Sequence, residues 1–225
     1  MVALFVVLTF LFFILIDFVV LKLQKKKHPA FEPSSSFLAE RLVFDYNTLS
    51  VPKDIFLSRG HTWAKKNEYG LIKIGVDDFV VKSLGNFSIT NIKEAGTEIK
   101  KGDIIFEGKS NSHHFKFRSP VDGEIKFINP GIVGKIMTDP YGDDWSVLML
   151  APEYEINKLH LYTGDELSNW MRKEFKRLRE FLGTHSVKPE LAGVTMQDGG
   201  NIVEGALSLV AEEGVRDFEK EFLFM

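Results

Sequence analysis

From Phe56 to Leu150 the chain alternates short apolar segments with glycine-containing turns, a cadence that fits a β-rich fold and little else. Leu71–Val76 alternates and ends at a turn, and Asn86–Ile92 alternates again through Phe87, Ile89 and Ile92. Ala95-Gly96-Thr97 and Lys101-Gly102-Asp103 are turns, and Ile104-Ile105-Phe106 reads as a buried strand. Asp122-Gly123 separates Phe117–Val121 from Glu124–Ile128, a hairpin signal, and Ser146–Leu150 reads as the last strand. One short helix is expected over Asp77–Leu84, where Phe79, Val80 and Leu84 have helical spacing and Asp77 or Asp78 can cap. The fold class predicted is mainly β, a flattened barrel or sandwich over residues 53–152.

The ends differ from this centre. Val2–Leu21 is apolar except for Thr9 and Asp17. Such a run is long enough to cross the hydrocarbon core as a helix. No basic residue precedes it and no small-residue cleavage site follows, which argues against a secretory signal. Lys22, Lys25, Lys26 and Lys27 follow it directly, so the positive-inside rule puts the rest of the chain in the cytoplasm. Residues 1–24 are thus expected to be a single-pass anchor in the cytoplasmic membrane, N-terminus outside, its basic flank able to meet anionic headgroups. Asp17 either reaches the interface or meets a polar group on a neighbouring membrane subunit. Residues 25–52 read as basic flank and linker: Pro29–Ser36 is rich in proline and serine, and Phe37–Asn47 fits a short helix or strand docked on the domain.

Residues 153–225 read as a helical extension. Leu167, Trp170, Met171, Phe175, Leu178 and Phe181 recur at three and four, with Thr163 or Asp165 as cap and Gly183 as stop. The opposite face is basic (Arg172, Lys173, Lys176, Arg177, Arg179). This helix is expected to pack on the β-domain or, alternatively, to lie on headgroups or on a partner. A second helix is expected from Asn201 through Val210, and a last amphipathic segment over Val215–Phe224. Between the helices, Asp198-Gly199-Gly200 is a turn.

Within the β-region, FEGKSNSHHFKFRSPV (Phe106–Val121) reads as two strands around a polar tip. The motifs around it come in a definite order: Gly60-His61-Thr62-Trp63, Ile74-Gly75-Val76-Asp77 with Ser83-Leu84-Gly85-Asn86, Glu94-Ala95-Gly96, Lys101-Gly102-Asp103, Ser119-Pro120-Val121-Asp122-Gly123-Glu124-Ile125 with Asn129, and Asp139-Pro140-Tyr141-Gly142-Asp143-Asp144-Trp145. As an ordered set they resemble the H protein of the glycine cleavage system, a lipoyl-carrying β-domain, over about residues 56–150. The resemblance implies a carrier lysine in an E-S-V-K-A motif a fixed distance before the Ser-Pro. Counting back from Ser119-Pro120 puts Lys109 at the glutamate, Ser110 at the serine, Asn111 at the valine and Ser112 at the modified lysine. A serine hydroxyl cannot form the lipoyl amide, so no lipoate is expected, and Lys109 and Lys116 are the only nearby amines for an alternative carrier.

Residues Ser110, Asn111, Ser112, His113, His114 and Phe115 are therefore expected to form a contact surface. His113 and His114 raise a second alternative, a metal or haem redox subunit. Neighbouring strand residues face opposite ways, however, so solvated or partner-contacting histidines are expected and no metal. Absence of cysteine excludes disulfides, thiol catalysis and iron–sulfur ligation. A net charge of −3 gives no reason to expect nucleic acid. No phosphate loop, G-x-S-x-G or H-E-x-x-H is present, paired carboxylates such as Asp77-Asp78 and Asp143-Asp144 fit capping and turns, and no small-molecule substrate is indicated. The expectation is a non-catalytic, membrane-tethered accessory subunit. Its partners would be the membrane and other subunits of a membrane complex, with an electron-transfer or respiratory assembly as the candidate.

Overall fold

Two antiparallel sheets enclose one apolar core. The strands are β1 (Val43–Phe44), β2 (Phe56–Leu57), β3 (Thr62–Lys66), β4 (Ile72–Val76), β5 (Phe87–Ile92), β6 (Glu98–Ile99), β7 (Ile104–Ser110), β8 (His113–Arg118), β9 (Gly123–Ile128), β10 (Val147–Leu150) and β11 (Ile202–Val203). One sheet has the order β2-β3-β4-β10-β9-β6, the other β5-β7-β8, and β1 pairs separately with β11. The computed structural model describes residues 43–44, 46–49, 51–185 and 202–224, all within one unit, Leu42–Met225. The span expected over Val2–Leu21 with Asp17, the flank Lys22, Lys25, Lys26 and Lys27, the Pro29–Ser36 stretch and the turn at residues 198–200 lie outside the described residues. Among the described residues, no helix is long and apolar enough to cross a membrane.

The alternation read in the sequence is what closes the core. Ile72 and Ile74 of β4 pair with Met149 and Val147 of β10, and all four side chains are buried. The smaller sheet contributes Phe87, Ile89, Phe106, Phe115 and Phe117. Phe117 meets Phe87 edge-on at 5.4 Å and stacks on Phe106 at 5.3 Å. Gly108 is required here, because a side chain at that position would overlap the Phe87 ring.

The helix α1 (Asp78–Leu84) connects β4 of one sheet to β5 of the other. Asp77 caps it, its Oδ1 accepting from the Val80 N–H at 3.0 Å, and its Oδ2 accepts from His61 Nδ1 at 2.7 Å. The helix ends at Gly85, whose φ of 77° a residue with a Cβ would not readily adopt.

The second half of the chain corrects several expectations. A short helix α2 (Tyr154–Asn157) leads to α3, which runs Gly164–His185 and so passes through Gly183. One glycine costs a helix only about 1 kcal/mol relative to alanine, and buried Phe181 and Leu182 on the preceding turn offset that. The apolar stripe of α3 (Leu167, Met171, Phe175, Leu178, Phe181, Leu182) is buried within the unit, so it is not the face with which this helix can meet a membrane. The helix expected from Asn201 through Val210 is not formed over the described residues 202–210. Instead Ile202–Val203 forms β11, Gly205 turns the chain at φ 70°, and Ala206–Leu209 makes one tight 3₁₀ turn. The last helix, α4, begins at Glu212 and passes at Phe218 into a π turn over Glu219–Leu223.

Of Phe37–Asn47, the stretch expected to dock on the domain as a short helix or strand, residues 43–44 and 46–47 are described. Val43 pairs with Val203 and Phe44 with Ile202. Tyr46–Thr48 forms a 3₁₀ turn whose Thr48 carbonyl accepts from Lys82 Nζ at 2.9 Å.

Candidate functional site

The hairpin formed by β7 and β8 is the site to which the sequence pointed. Its pairs are Ile104↔Arg118, Glu107↔Lys116, Gly108↔Phe115, Lys109↔His114 and Ser110↔His113, which leaves Asn111 and Ser112 as a two-residue tip. Asn111 has φ 54°, a left-handed conformation that asparagine tolerates better than most residues. Both tip residues are exposed. Ser112 thus stands at the extreme of the hairpin, where the resemblance puts the carrier lysine. Neither tip side chain has an amine, so the tip does not fit an amide-linked prosthetic group.

The other predicted residues divide. Lys109, His114 and Lys116 are exposed on the strands and His113 is half-buried. Neither lysine is at the tip, since Lys109 lies opposite His114 and Lys116 opposite Glu107. His113 and His114 sit at successive positions of an extended strand and face opposite ways, so they cannot chelate one ion together. Among the described residues no group of three or more His, Asp or Glu is placed to hold a metal.

Ser110 and Phe115, expected on the contact surface, are 4% and 2% exposed and belong to the interior. Ser110 is small enough to be covered, and its hydroxyl donates to the Leu84 carbonyl at the end of α1 at 2.8 Å. Phe115 forms one wall of a small recess with Leu84, Leu207 and Val215.

The residues that close over the hairpin all come from the C-terminal segment. Gly205 N donates to Lys82 O at 2.7 Å, and the backbone there lies so close that a Cβ on Gly85 would come within 2.9 Å of Gly205 Cα. Two glycines therefore let the tail cross the end of α1. Further on, Glu219 Oε1 accepts from the Lys116 backbone N–H at 3.0 Å, on the outer edge of β8. The Arg118 guanidinium lies 4.5 Å from the Phe224 ring centroid. An edge strand otherwise presents unpaired backbone groups as a template for another chain. Here the protein's own tail takes part of that edge. No local sequence signal marks these contacts, because Glu219 is one more acidic residue in an acidic helix. Only Gly205, a helix-breaking residue inside an apolar run, hinted that the segment turns.

Two further features hold the scaffold. Asp144 is fully buried and accepts from the N–H groups of Thr138 (2.7 Å) and Asp139 (2.8 Å) and from Lys135 Nζ (2.5 Å). Burial disfavours its charge, but the bonds from Lys135, Asp139 and Thr138 outweigh that and hold its pKa below the ordinary carboxylate value. The same carboxylate raises the pKa of Lys135 through their hydrogen bond. Trp63 is buried and its indole N–H donates to Val76 O (2.9 Å) and Pro140 O (3.1 Å), whereas Trp145 is half-buried beneath Lys73.

The sequence model of the family described as "Glycine cleavage H-protein" matches residues 56–174. The chain is 33% identical over 114 residues to a probable glycine cleavage system H protein of Korarchaeum cryptofilum, covering 45% of this chain and 81% of that one. It is 30% identical over 121 residues to the glycine cleavage system H protein of Listeria monocytogenes, covering 52% of this chain and 95% of that one. A crystal structure of a glycine cleavage system H protein from Mycobacterium marinum superposes with a TM-score of 0.42 at 23% identity, over 45% of this chain and 87% of that one. The match runs beyond the end of the β-sheets, through α2 and into α3; the described residues 202–224, which close over the hairpin, lie beyond it. With more than half its length matched by the family model, the chain belongs to the glycine cleavage H-protein family.

Proposed function

We propose that this protein is a non-catalytic, non-lipoylated H-protein relative that docks or organises subunits of a complex at the cytoplasmic membrane, an electron-transfer or respiratory assembly being the candidate. The observation that carries the reading is the tip itself: Ser112 occupies the position that calls for an amine, on a hairpin whose outer edge is fastened by Glu219. A carrier arm has to present its group to successive partners. A hairpin pinned at Ser110, Phe115 and Lys116 is suited to being held instead. The apolar run Val2–Leu21 and the flank Lys22, Lys25, Lys26 and Lys27 support tethering, with the folded unit on the cytoplasmic side.

Intact-mass spectrometry of the natively expressed protein, joined to recovery of complexes after mild detergent extraction, tests this. The expected result is an unmodified mass and stoichiometric partners. A lipoyl increment mapped to Lys109 or Lys116 would replace this reading with that of a membrane carrier. A partner-free monomer in native membranes would remove the docking role.

A further inference from the structure

We propose that the basic stripe of α3 is a seat for the headgroups of an anionic lipid leaflet. The inference rests on the membrane-tether reading and adds a surface to it.

Arg172, Lys176 and Arg179 are spaced i, i+4, i+7, which sets them in one row along the helix, and all three are exposed. Lys173 projects beside them, also exposed. The row is not used up internally. Among the described residues Lys176 has one loose ion pair, with Glu180 at 3.7 Å, and Lys173 and Arg179 have none. Arg177, on the other flank, is committed differently: it bonds Glu174 and the Glu221 carbonyl and covers the Phe222 ring. One flank of α3 is therefore joined to the tail and the other is left as open positive charge.

What points that open flank at a membrane is where the chain leaves the folded unit. The Arg172 guanidinium lies 4.8 Å from the ring centroid of Tyr46, and Lys82 holds the carbonyl of Thr48. Toward Lys22 the described chain ends at Val43, which pairs with Val203 and stands three positions before the Tyr46 that Arg172 covers. Roughly 20 residues separate Lys22 from Val43, which even fully extended reach only about 70 Å. A tether this short keeps the unit close to the surface and makes docking an intramolecular event. The α3 face beside Tyr46, close to that end of the described chain, is cationic, which is the charge an anionic leaflet attracts. The apolar stripe of α3 is buried, so the contact is electrostatic and leaves the helix outside the hydrocarbon.

The test uses the full chain in nanodiscs of phosphatidylcholine, with or without phosphatidylglycerol. The protein has no cysteine, so Asn169→Cys on the exposed side of α3 and Glu94→Cys on the β-unit each give a single labelling site. Energy transfer from the α3 label to a headgroup acceptor should rise with phosphatidylglycerol, fall with added salt, and exceed that from the Glu94→Cys label. Replacing Arg172, Lys176 and Arg179 together by glutamine should lower the docked-to-undocked ratio on the order of 100-fold. The same change at exposed Lys93, Lys100 and Lys101 should leave it unaltered. Equal transfer in both lipids, or transfer that survives loss of the stripe, overturns the seat. Salt-sensitive capture of an acidic protein by the stripe with no lipid dependence would assign it to a protein and also overturn the proposal. Extraction with alkaline carbonate tests the tether by itself. If the chain is released, the anchor reading falls, and flotation of the released chain with phosphatidylglycerol vesicles then decides the seat: flotation lost in the triple variant supports it, and no flotation overturns it.

Discussion

Around Asp144 order comes from hydrogen bonds between residues close in sequence; around Phe222 it comes from rings brought together over long distances. Asp144 is bonded by Lys135, Thr138 and Asp139, all within nine positions. Phe222 stacks on Phe218 at 4.7 Å, meets Phe181 edge-on at 5.6 Å, and faces Phe79 of α1 at 6.3 Å. The first kind of order is local and specifies a loop whatever lies beyond it. The second forms only when α1, α3 and the tail are already together, and it is this cooperative packing that fastens the hairpin edge. The loop lies inside the family match and the Phe222 end of the cluster lies beyond it. A rigid scaffold and a cover that depends on long-range packing can therefore be separated by mutation.

The largest effect is expected at Phe79, which joins the two regions. Its ring stacks on His61 at 4.7 Å and meets Phe175 edge-on at 5.1 Å. Phe79→Ala should cost about 3–5 kcal/mol, as for other buried aromatic truncations, and should lower the denaturant midpoint of the β-unit and the cover alike. Phe222→Ala should cost a similar amount by direct truncation, yet its consequence should be regional. Hydrogen exchange should speed up in α4 and along the outer edge of β8 while the strands β3, β4 and β10 stay protected. Equal deprotection of every element would show that scaffold and cover are one cooperative unit.

Asp144 sharpens the other side of the comparison. Asp144→Ala leaves the N–H groups of Thr138 and Asp139 without their acceptor and should cost about 2–4 kcal/mol. Because its folded pKa lies below the ordinary value of 3.8, the charged form is favoured in the folded state. Its contribution is therefore complete above that value and is lost as the pH falls through the lower, folded pKa. Urea midpoints measured from neutral to strongly acid pH should fall in that acid window for the native chain. In Asp144→Asn the part of the fall that belongs to this group should disappear.

The sequence made the scaffold legible and the cover illegible for the same physical reason. Alternation at Leu71–Val76 and the cap at Asp77 are local codes, and each element forms where its code lies; Asp122-Gly123 instead closes no hairpin, because Gly123 opens β9, which pairs with β10 and β6, while β8 pairs with β7 in the other sheet. The tip was found by counting back from Ser119-Pro120, which works because strand register is fixed by a buried face. The tail gave only an apolar period. That period marks a face to be buried and says nothing about what will cover it, so Ile202–Val203 has the pattern of a helix although its partner is Val43–Phe44. A serine near a turn is usually solvated, and nothing near Ser110 in the sequence marks it for burial. Only the carbonyl of Leu84, remote in sequence, makes its burial favourable.

The bonds that fasten the hairpin are worth less than the rings. Ser110→Ala removes the hydroxyl and leaves the Leu84 carbonyl unpaired, at a cost of about 1 kcal/mol. Glu219→Gln keeps an oxygen able to accept from the Lys116 N–H, so it should cost only a few tenths of a kcal/mol, while Glu219→Ala should approach about 1 kcal/mol. A gain in exchange at the Lys116 amide in Glu219→Ala, absent in Glu219→Gln, would identify this bond as what closes the edge.

The smallest change in stability is expected at Ser112, and it tests the tip most directly. Ser112 is exposed, and unlike Asn111 its φ is not positive, so Ser112→Lys should alter stability by no more than about 0.5 kcal/mol. It restores an amine at the extreme of the hairpin. Two differences then still separate the tip from a carrier: Lys109 stands where the resemblance calls for an acid, and the cover holds β8 from the side. If charge is the obstacle, Ser112→Lys alone should remain largely unmodified by a lipoyl ligase and the double variant Lys109→Glu/Ser112→Lys should gain the lipoyl mass. If the cover is the obstacle, adding Glu219→Ala to that pair should raise the modified fraction further. Efficient lipoylation of Ser112→Lys by itself would show that a single residue divides this hairpin from a carrier, and that neither Lys109 nor the cover takes part in that difference.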